Sequence, residues 1–215
     1  MKKIAIFGAG GFGREVHFLI EDINKNKETF SFLGYFDDGK EKGELINNYP
    51  VLGNIDDLNN WNEPVDLVVA VGDPKVKKII IEKIHNHNVT FPVLIHPGVI
   101  IGVSQFNKIG EGCIVCAGTI ITVNIEIGRH VILNLCCTVG HDARIGDYSS
   151  FMPSVNISGE VIIENCVYVG TGAKIINLLT IGEYSTIGAG AIVTKSIPPK
   201  CVAVGMPAKP VKFLD

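Results

Sequence analysis

Residues 127–151 read IGRHVILNLCCTVGHDARIGDYSSF, and a large apolar residue recurs there at every sixth position. The spacing continues without a break from Ile109 to Val193. The series comprises Ile109, Val115, Ile121, Ile127, Leu133, Val139, Ile145, Phe151, Ile157, Ile163, Val169, Ile175, Ile181, Ile187 and Val193. A helix repeats every 3.6 residues and a strand every two, so a strict period of six indicates a repeated structural unit of another kind.

A second period lies on the first. Glycine follows the apolar residue at Gly110, Gly128, Gly146 and Gly182, which are separated by multiples of eighteen. Three hexads therefore form one turn of a triangular coil, and about five turns stack at roughly 4.8 Å, the ordinary distance between strands. We expect each hexad to place one apolar side chain on the coil axis, worth about 1.5–3 kcal/mol when buried.

Composition narrows the classes of function. The chain has 215 residues and a net charge of −3, and the absence of a basic run argues against nucleic acid or an anionic membrane as a partner. The N-terminus, MKKIAIFGAGGFG, meets glycines too early for a signal peptide, and no apolar run approaches the roughly 18 residues of a spanning helix. The sequence predicts a soluble, cytoplasmic protein.

The first ninety residues follow a different pattern, in which strands alternate with helices. Lys3–Phe7, FLGYFDDG and VDLVVAVG are typical of strands, and apolar spacing predicts helices over 14–24 and 75–87. The second helix is expected to face inward with Ile79, Ile80 and Ile84. This order predicts a small, parallel, Rossmann-like α/β domain over 1–91. The coil domain then spans 92–215, and its tail from Ser196 is expected to fold back over the last coil.

A glycine-rich loop marks the first domain as a candidate ligand site. Residues 8–13 read GAGGFG between a strand and a helix, where backbone amides can face a phosphate. Asp37 and Asp38 end the second strand, and Gly72 lies at the same carboxyl edge of the sheet. Half of a two-part dinucleotide fold suits a mononucleotide, such as the nucleoside diphosphate of an activated sugar. A dinucleotide enzyme and a purely structural tight turn are the alternatives.

One of the six histidines stands out. His17, His85 and His87 fall in or beside predicted helices and are expected to be solvated. His141 lies between Gly140 and Asp142 at a coil corner, where an imidazole next to a carboxylate can act as a general base. The alternative is a histidine that only satisfies hydrogen bonds of the coil. Gly159, eighteen residues later, would let a ligand approach the backbone near His141.

The six cysteines do not predict a metal site. Cys113 and Cys116 form a lone CxxC, and the positions eighteen residues later are Val131 and Asn134, so no second pair meets them. We interpret the cysteines as small side chains of a reduced protein, in tight corners of the coil, and predict no bound metal.

These motifs together resemble a known family. The hexads, GHD at 140–142, IGAGAIVTKSIPP at 187–199 and GMPAK at 205–209 resemble hexapeptide-repeat acetyltransferases. With the GAGGFG domain in front, the chain is similar to sugar acetyltransferases of the bacillosamine, perosamine and sialic-acid pathways over essentially its whole length. The resemblance implies a left-handed parallel β-helix, a homotrimer, acetyl-CoA as donor and active sites between adjacent subunits.

The resemblance also implies roles for individual residues. His141 would be the general base, Asp142 would increase its basicity, and Asn134 would face the sugar. The remaining residues would bind the two substrates: the nucleotide sugar at Gly10, Gly11, Phe12, Asp37, Asp38 and Gly72, and acetyl-CoA at Ser150, Gly159, Thr171 and Ala189. Phe12 and Ser150 stand where many relatives have histidine, and Asp142 replaces a glutamate of the bacillosamine enzymes.

The function expected from this resemblance is N-acetylation of a nucleotide-linked amino sugar, of the UDP-4-amino-sugar type, for surface glycan biosynthesis. The acetyl group would move directly from acetyl-CoA to the amine, with His141 as base. Alternatives are an O-acetyltransferase acting on sialic acid or serine and a non-catalytic module that binds a nucleotide sugar. A zinc hydratase on the same coil would need three coordinating histidines, and no histidine follows His141 in the coil.

Overall fold

The computed structural model of the chain describes residues 1–102 and 106–214. These residues form two compact units, Met1–Pro97 and Gly98–Asp215, and each has its own buried core. Within the described residues, no helix combines the length and the apolar character needed to cross a lipid bilayer.

The first unit is the predicted small α/β domain. Its strands are β1 (Lys2–Phe7), β2 (Phe30–Phe36), β3 (Leu45–Ile46), β4 (Tyr49–Gly53), β5 (Val65–Val69), β6 (Val89–Thr90) and the short β7 (Leu94–Ile95). Its helices are α1 (Gly11–Asn26), α2 (Ile55–Asn59) and α3 (Pro74–Lys83). The sheet order is β3-β4-β2-β1-β5-β6, and only the β3–β4 pair is antiparallel. The loops after β1, β2 and β5 therefore share one edge of the sheet.

Helix α3 is shorter than the helix predicted over 75–87. Asp73 caps its start by accepting the N–H groups of Lys75 at 2.8 Å and Val76 at 3.0 Å, with Pro74 as the first helical residue. The helix ends at Lys83 because the next residue has an extended backbone.

The inward face of α3 also differs from the prediction. Ile80 and Ile84 pack against the core as expected, whereas Ile79 is 52% exposed, so its predicted inward position is wrong. The side chain of Lys77 is buried instead. Lys77 and Ile80 share one face of α3, and Ile79, two residues after Lys77, projects to the opposite side.

The second unit is the predicted left-handed parallel β-helix. From β9 on, one corner separates each of its very short strands from the next. The strands are β8 (Ile100–Ile101), β9 (Lys108–Ile109), β10 (Ile114–Val115), β11 (Ile120–Ile121), β12 (Glu126–Ile127), β13 (Ile132–Leu133), β14 (Thr138–Val139), β15 (Arg144–Ile145), β16 (Ser150–Phe151), β17 (Asn156–Ile157), β18 (Ile162–Ile163), β19 (Tyr168–Val169), β20 (Lys174–Ile175), β21 (Thr180–Ile181), β22 (Thr186–Ile187) and β23 (Ile192–Val193). From β9 to β23, each strand pairs in parallel with the strand eighteen residues away, as Thr138 with Asn156, whereas β8 pairs with β11 twenty residues later. One coil is therefore eighteen residues, as predicted.

Three flat faces result from this stacking. Face 1 contains β10, β13, β16, β19 and β22; face 2 contains β8, β11, β14, β17, β20 and β23; face 3 contains β9, β12, β15, β18 and β21. We name the corners by the faces they join: the first corner leads from face 3 to face 1, the second from face 1 to face 2, and the third from face 2 to face 3.

Each hexad points two side chains inward, not the single one that we expected. The predicted series is buried apart from Ile109, which is partly exposed. A second series lies four residues after each member of the first and includes buried Cys113, Thr119, Val131 and Ser149. These residues are small and chemically mixed, so hydropathy alone did not reveal them. The core is therefore built from one large and one smaller side chain per hexad.

The corners share one backbone feature. From Gly112 to Gly190, every sixth residue has a positive φ, and the set includes Asp142, Tyr148, Glu160 and Leu178. Residues other than glycine rarely adopt this conformation, because Cβ approaches the following carbonyl oxygen. The hydrogen bonds between stacked coils hold them there, as in the bond from the Glu160 N–H to the His141 carbonyl at 2.8 Å.

The glycines of the eighteen-residue period lie at the first corner, where adjacent coils are closest. A Cβ atom on Gly110 would lie 2.6 Å from the Gly128 carbonyl oxygen, and one on Gly182 would lie 2.3 Å from the Pro199 nitrogen. No side chain fits in such a space, which explains the glycine period.

The tail folds back as expected. Strand β24 (Cys201–Gly205) pairs in parallel with β22 on face 1, and β25 (Ala208–Phe213) pairs antiparallel with β24. This hairpin covers the edge of face 1 that would otherwise be left open above the last coil.

Candidate active site at the third corner

A histidine and an aspartate meet at the third corner, directly after β14. The Nδ1 atom of His141 lies 2.8 Å from Oδ2 of Asp142. A carboxylate only accepts hydrogen bonds, so Nδ1 carries the proton and the neutral ring holds its lone pair on Nε2. Both side chains are about half exposed. The pair therefore presents a basic nitrogen to a ligand in the way that a general base requires.

Gly159 lies beside the His141 ring, one coil further along the same corner. A Cβ atom at Gly159 would lie 2.5 Å from both Cε1 and Nε2 of the imidazole. The missing side chain therefore makes room for the histidine itself, in addition to the ligand that the sequence predicts there. The backbone N–H of Gly159 donates no backbone hydrogen bond within the described residues.

Asn124, one coil before Asp142, completes this group, and sequence reasoning missed it. Its Nδ2 atom donates to Oδ1 of Asp142 at 3.1 Å. The hydrogen bonds from His141 and then Asn124 hold the pKa of the Asp142 carboxyl below its usual range, since both favour the charged form. The eighteen-residue period, read one coil backwards from Asp142, would have found Asn124.

A cleft of about 340 Å³ opens next to this group on face 3. It is lined by Phe106, Lys108, Asn124, Glu126, Asp142 and Arg144. Glu126 lies between two cations, with Lys108 Nζ at 3.1 Å and Arg144 Nε at 3.9 Å from its carboxylate oxygens. The charge of Glu126 is thus balanced by the cations beside it. The carboxylate of Asp142 also lines the cleft, and it bonds to His141.

The other predicted residues of the coil lie elsewhere. Asn134 is buried at the second corner, the opposite end of β14 from His141, and its Oδ1 accepts the N–H of Leu135 at 2.7 Å. Thr171 and Ala189 occupy equivalent positions at the second corner, one coil apart, and Ser150 is buried on face 1. Of the residues predicted in the coil, only Gly159 therefore lies beside His141 and Asp142 within one chain.

The glycine loop of the first unit has the geometry of an anion site. Helix α1 begins at Gly11 with no side-chain cap and no acidic residue in its first turn, which leaves its first amides open to a ligand. A Cβ on Gly10 or Gly11 would meet no atom within 4 Å, whereas one on Gly13 would lie 1.9 Å from the Gly8 carbonyl oxygen. Gly13 is therefore required by packing, and Gly10 and Gly11 leave free space above the loop.

The acidic pair supports this loop. Asp37 accepts the Ala9 N–H at 2.8 Å through Oδ2 and the Gly39 N–H at 2.8 Å through Oδ1. Asp38 accepts the N–H of Ile55, the first residue of α2, at 2.9 Å. Partly buried Phe12 is the second residue of α1, and partly buried Gly72 lies in the loop after β5, at the same edge of the sheet. Both carboxylates therefore hold backbone N–H groups in place, in addition to any contact that they make with a ligand.

The remaining histidines and the cysteines do not form a second centre. His85 and His87 are exposed as predicted, but the prediction for His17 is wrong, because it is buried and stacks on Phe32 with ring centroids 4.1 Å apart. All six cysteines are free, and burial raises the pKa of the Cys137 thiol to about 12. Within the part of the chain that the structure describes, no three His, Cys, Asp or Glu side chains could hold a metal ion together.

Comparison with known proteins identifies relatives of both units. Residues 3–84 match the family model described as the PglD N-terminal domain. A GDP-perosamine N-acetyltransferase of Escherichia coli O157:H7 is 33% identical over 175 residues, which cover 81% of this chain and 78% of that protein.

Two solved structures resemble nearly the whole chain. A point mutant of perosamine N-acetyltransferase from Caulobacter crescentus, in complex with CoA and GDP-perosamine, has a TM-score of 0.86 and 27% identity, covering 99% of this chain and 98% of its own. The acetyltransferase domain of PglB from Neisseria gonorrhoeae, in complex with acetyl coenzyme A, has a TM-score of 0.86 and 32% identity, covering 98% and 99%. The chain is therefore an acetyltransferase that belongs to the family of hexapeptide-repeat sugar acetyltransferases, as the resemblance implied.

Proposed function

We propose that this protein transfers the acetyl group of acetyl-CoA to the amine of a nucleotide-linked amino sugar, directly and with His141 as general base. The observation that carries the proposal is the hydrogen bond of 2.8 Å between His141 and Asp142, which leaves Nε2 free to accept a proton. The relatives named above that act on an amino sugar or bind acetyl-CoA support the two substrates.

In the proposed reaction, the sugar nitrogen attacks the thioester carbonyl and forms the new C–N bond. Nε2 of His141 takes a proton from the nitrogen, and the imidazolium is stabilised by Asp142 through Nδ1. The tetrahedral intermediate then collapses with cleavage of the C–S bond, and the thiolate of coenzyme A leaves and takes up the proton. The N–H of Gly159, which donates no backbone hydrogen bond within the described residues, is the proposed donor to the oxyanion, a contribution of about 2.7–4 kcal/mol in other enzymes.

We exclude a cysteine nucleophile from this mechanism. Cys136 and Cys137 lie at the second corner, away from the histidine of the same chain, and a thiol whose pKa is raised to about 12, as in Cys137, is almost wholly protonated near neutral pH. The dyad also argues against a non-catalytic binding module, because simple binding does not require an exposed histidine oriented by a carboxylate.

We further propose that the active unit is a homotrimer with sites between subunits. Exposed apolar side chains surround the dyad, among them Val123 and Ile176 at the third corner, Leu178 at 65% exposure, and Ile162 on face 3. Patches of this kind mark protein interfaces. Asn134 lies at another corner than His141, so it would reach the sugar only from a neighbouring subunit. Light scattering of the purified protein tests this assembly.

We place the nucleotide at the GAGGFG loop, with Gly10, Gly11, Phe12, Asp37, Asp38 and Gly72 around it, and acetyl-CoA along the coil at Ser150, Gly159, Thr171 and Ala189. The nucleobase, which we propose to be uracil, the role in surface glycan synthesis and the cytoplasmic location stay predictions. Thiol release measured against a panel of UDP-, GDP- and CMP-linked amino sugars tests the first of these.

The nucleotide site can be tested by a charge at the start of α1. In Gly11→Asp, a carboxylate at the N-terminus stabilises the helix but repels a phosphate at the same amides. We expect the KM for the nucleotide sugar to rise at least about tenfold, while the KM for acetyl-CoA and the melting temperature do not fall. Gly11→Asn, a neutral side chain of the same shape, should raise the KM much less. Equal KM values for the two variants would show that the phosphates bind elsewhere.

The choice between amine and hydroxyl can be tested with matched acceptors. A UDP-4-amino-4,6-dideoxy sugar should release coenzyme A with a kcat/KM more than about tenfold above that of its 4-hydroxy counterpart, because a site arranged around an amine leaves a polar group unpaired with the wrong acceptor. The rate with the amine should rise with pH, since protonated amine and protonated histidine are both inactive. Similar values for the two acceptors, or fast turnover of free serine or sialic acid, would favour the O-acetyltransferase alternative.

A further inference from the structure

The carboxylate of Asp142 is held from two sides. Its Oδ2 bonds to His141 on the same coil, at 2.8 Å, and its Oδ1 accepts a hydrogen bond of 3.1 Å from Asn124 on the preceding coil. Asn124 is therefore linked to the imidazole through the two oxygens of a single carboxylate. None of the roles assigned above to substrate binding or proton transfer involves Asn124.

The backbone conformation of the third corner places the Asn124 side-chain amide next to the Asp142 carboxylate. Asn124 and Asp142 occupy equivalent positions of the third corner, with φ values of 58° and 59°. Asparagine tolerates this conformation better than most residues. The Asp142 N–H bonds to the carbonyl of Val123 at 3.1 Å, so the two corners stack in register and the amide meets the carboxylate directly.

An exposed carboxylate needs such a second contact. The Asp142 side chain is 49% exposed, and with one hydrogen bond it could rotate and lose its alignment with Nδ1 of His141. We propose that Asn124 is a positioning residue, which fixes the Asp142 carboxylate in the orientation that keeps His141 basic and correctly aimed. This inference rests on the proposed function, in which His141 is the base.

The charged residues near His141 and Asp142 do not replace Asn124 as the donor to the Asp142 carboxylate. Lys108 and Arg144 line the same cleft, and both lie against Glu126. Glu160, at the equivalent position one coil further along, adds a negative charge and donates its N–H to the His141 carbonyl. An amide at position 124 holds the carboxylate without adding a charge that would oppose protonation of His141.

The test removes the Asn124 side chain without straining the corner. Asn124→Gly suits a positive φ, and Ser154→Gly is a matched control because Ser154 is an exposed residue with φ 63° at the second corner. We expect Asn124→Gly to lower kcat about tenfold, with the KM for acetyl-CoA unchanged. The acid limb of the pH profile should move to lower pH, because a misaligned carboxylate stabilises the imidazolium less. Ser154→Gly should change neither kcat nor the pH profile.

A double-mutant cycle separates positioning from other effects. In an Asp142→Gly background, Asn124→Gly should have no further effect on kcat, since its acceptor is gone. An effect of full size in that background, or a wild-type pH profile in the single variant, overturns the proposal. The proposed function fails by a different result, normal turnover of His141→Ala, so the two failures can be told apart.

Discussion

Replacing His141 by alanine is expected to lower kcat at least about 100-fold, because the proposed general base for the proton of the acceptor is lost. The KM for acetyl-CoA and the assembly of the protein should not change, since the exposed side chain contributes no core packing. Thiol release at saturating acceptor measures the effect. Asp142→Asn should cost less, because it alters the orientation and basicity of the histidine but leaves it in place.

His87→Ala is the control for this experiment, since His87 is an exposed histidine of the first unit with no assigned role. It should keep wild-type kcat. Near-normal turnover in His141→Ala would remove His141 as the base and, with it, the mechanism proposed above. A loss of assembly in that variant would instead indicate a structural histidine, the alternative that the sequence left open.

Gly159→Ala is expected to lower kcat about 30- to 100-fold with little loss of stability. The added methyl group would lie 2.5 Å from Cε1 and Nε2 of His141, so the imidazole must move. Because the ring is exposed, it can rotate away at small cost to the fold, but it then loses the hydrogen bond to Asp142. Gly159 is not among the glycines with a positive φ, so backbone strain does not confuse the result.

The chain contains a matched control for this variant. A Cβ atom on Gly112 would lie 2.1 Å from Nδ1 of His130, in the same arrangement of a glycine beside an imidazole at the first corner. His130 is buried and stacks on Tyr148 at 5.6 Å, so its ring has less room to move, and Gly112 has φ 69°. Gly112→Ala should therefore lower the melting temperature and keep kcat, the reverse of Gly159→Ala. Unchanged kcat in Gly159→Ala would show that placement of the ring does not limit the reaction.

Much of the fold was predictable from the sequence because each hexad carries its own signal. The large residues of the series from Ile109 to Val193 recur at every sixth position, and burial of each depends mainly on its own side chain. The second inward series could not be predicted from hydropathy, because it includes polar residues such as Thr119 and Ser149 as well as apolar Val131. The positive φ of the corners could not be predicted from the sequence either, because residues as different as Glu160 and Leu178 adopt it.

The candidate site was predicted in part for the same reason. His141 and Asp142 are neighbours in the chain, so their contact could be expected from GHD alone, and the glycines of GAGGFG follow from a local turn between strand and helix. The buried position of His17 was not foreseen, because it depends on rings from other elements: Phe32 in β2 and Tyr49 in β4.

The sequence by itself thus determined the coil, its eighteen-residue turn, the α/β domain before it and the His141–Asp142 pair. The tertiary structure alone decided that Asn124 holds the carboxylate and that Gly159 makes room for the ring. These residues lie eighteen positions from Asp142 and His141 along the chain. They become neighbours only because hydrogen bonds between parallel strands stack one coil on the next, which brings equivalent corners to within about 5 Å.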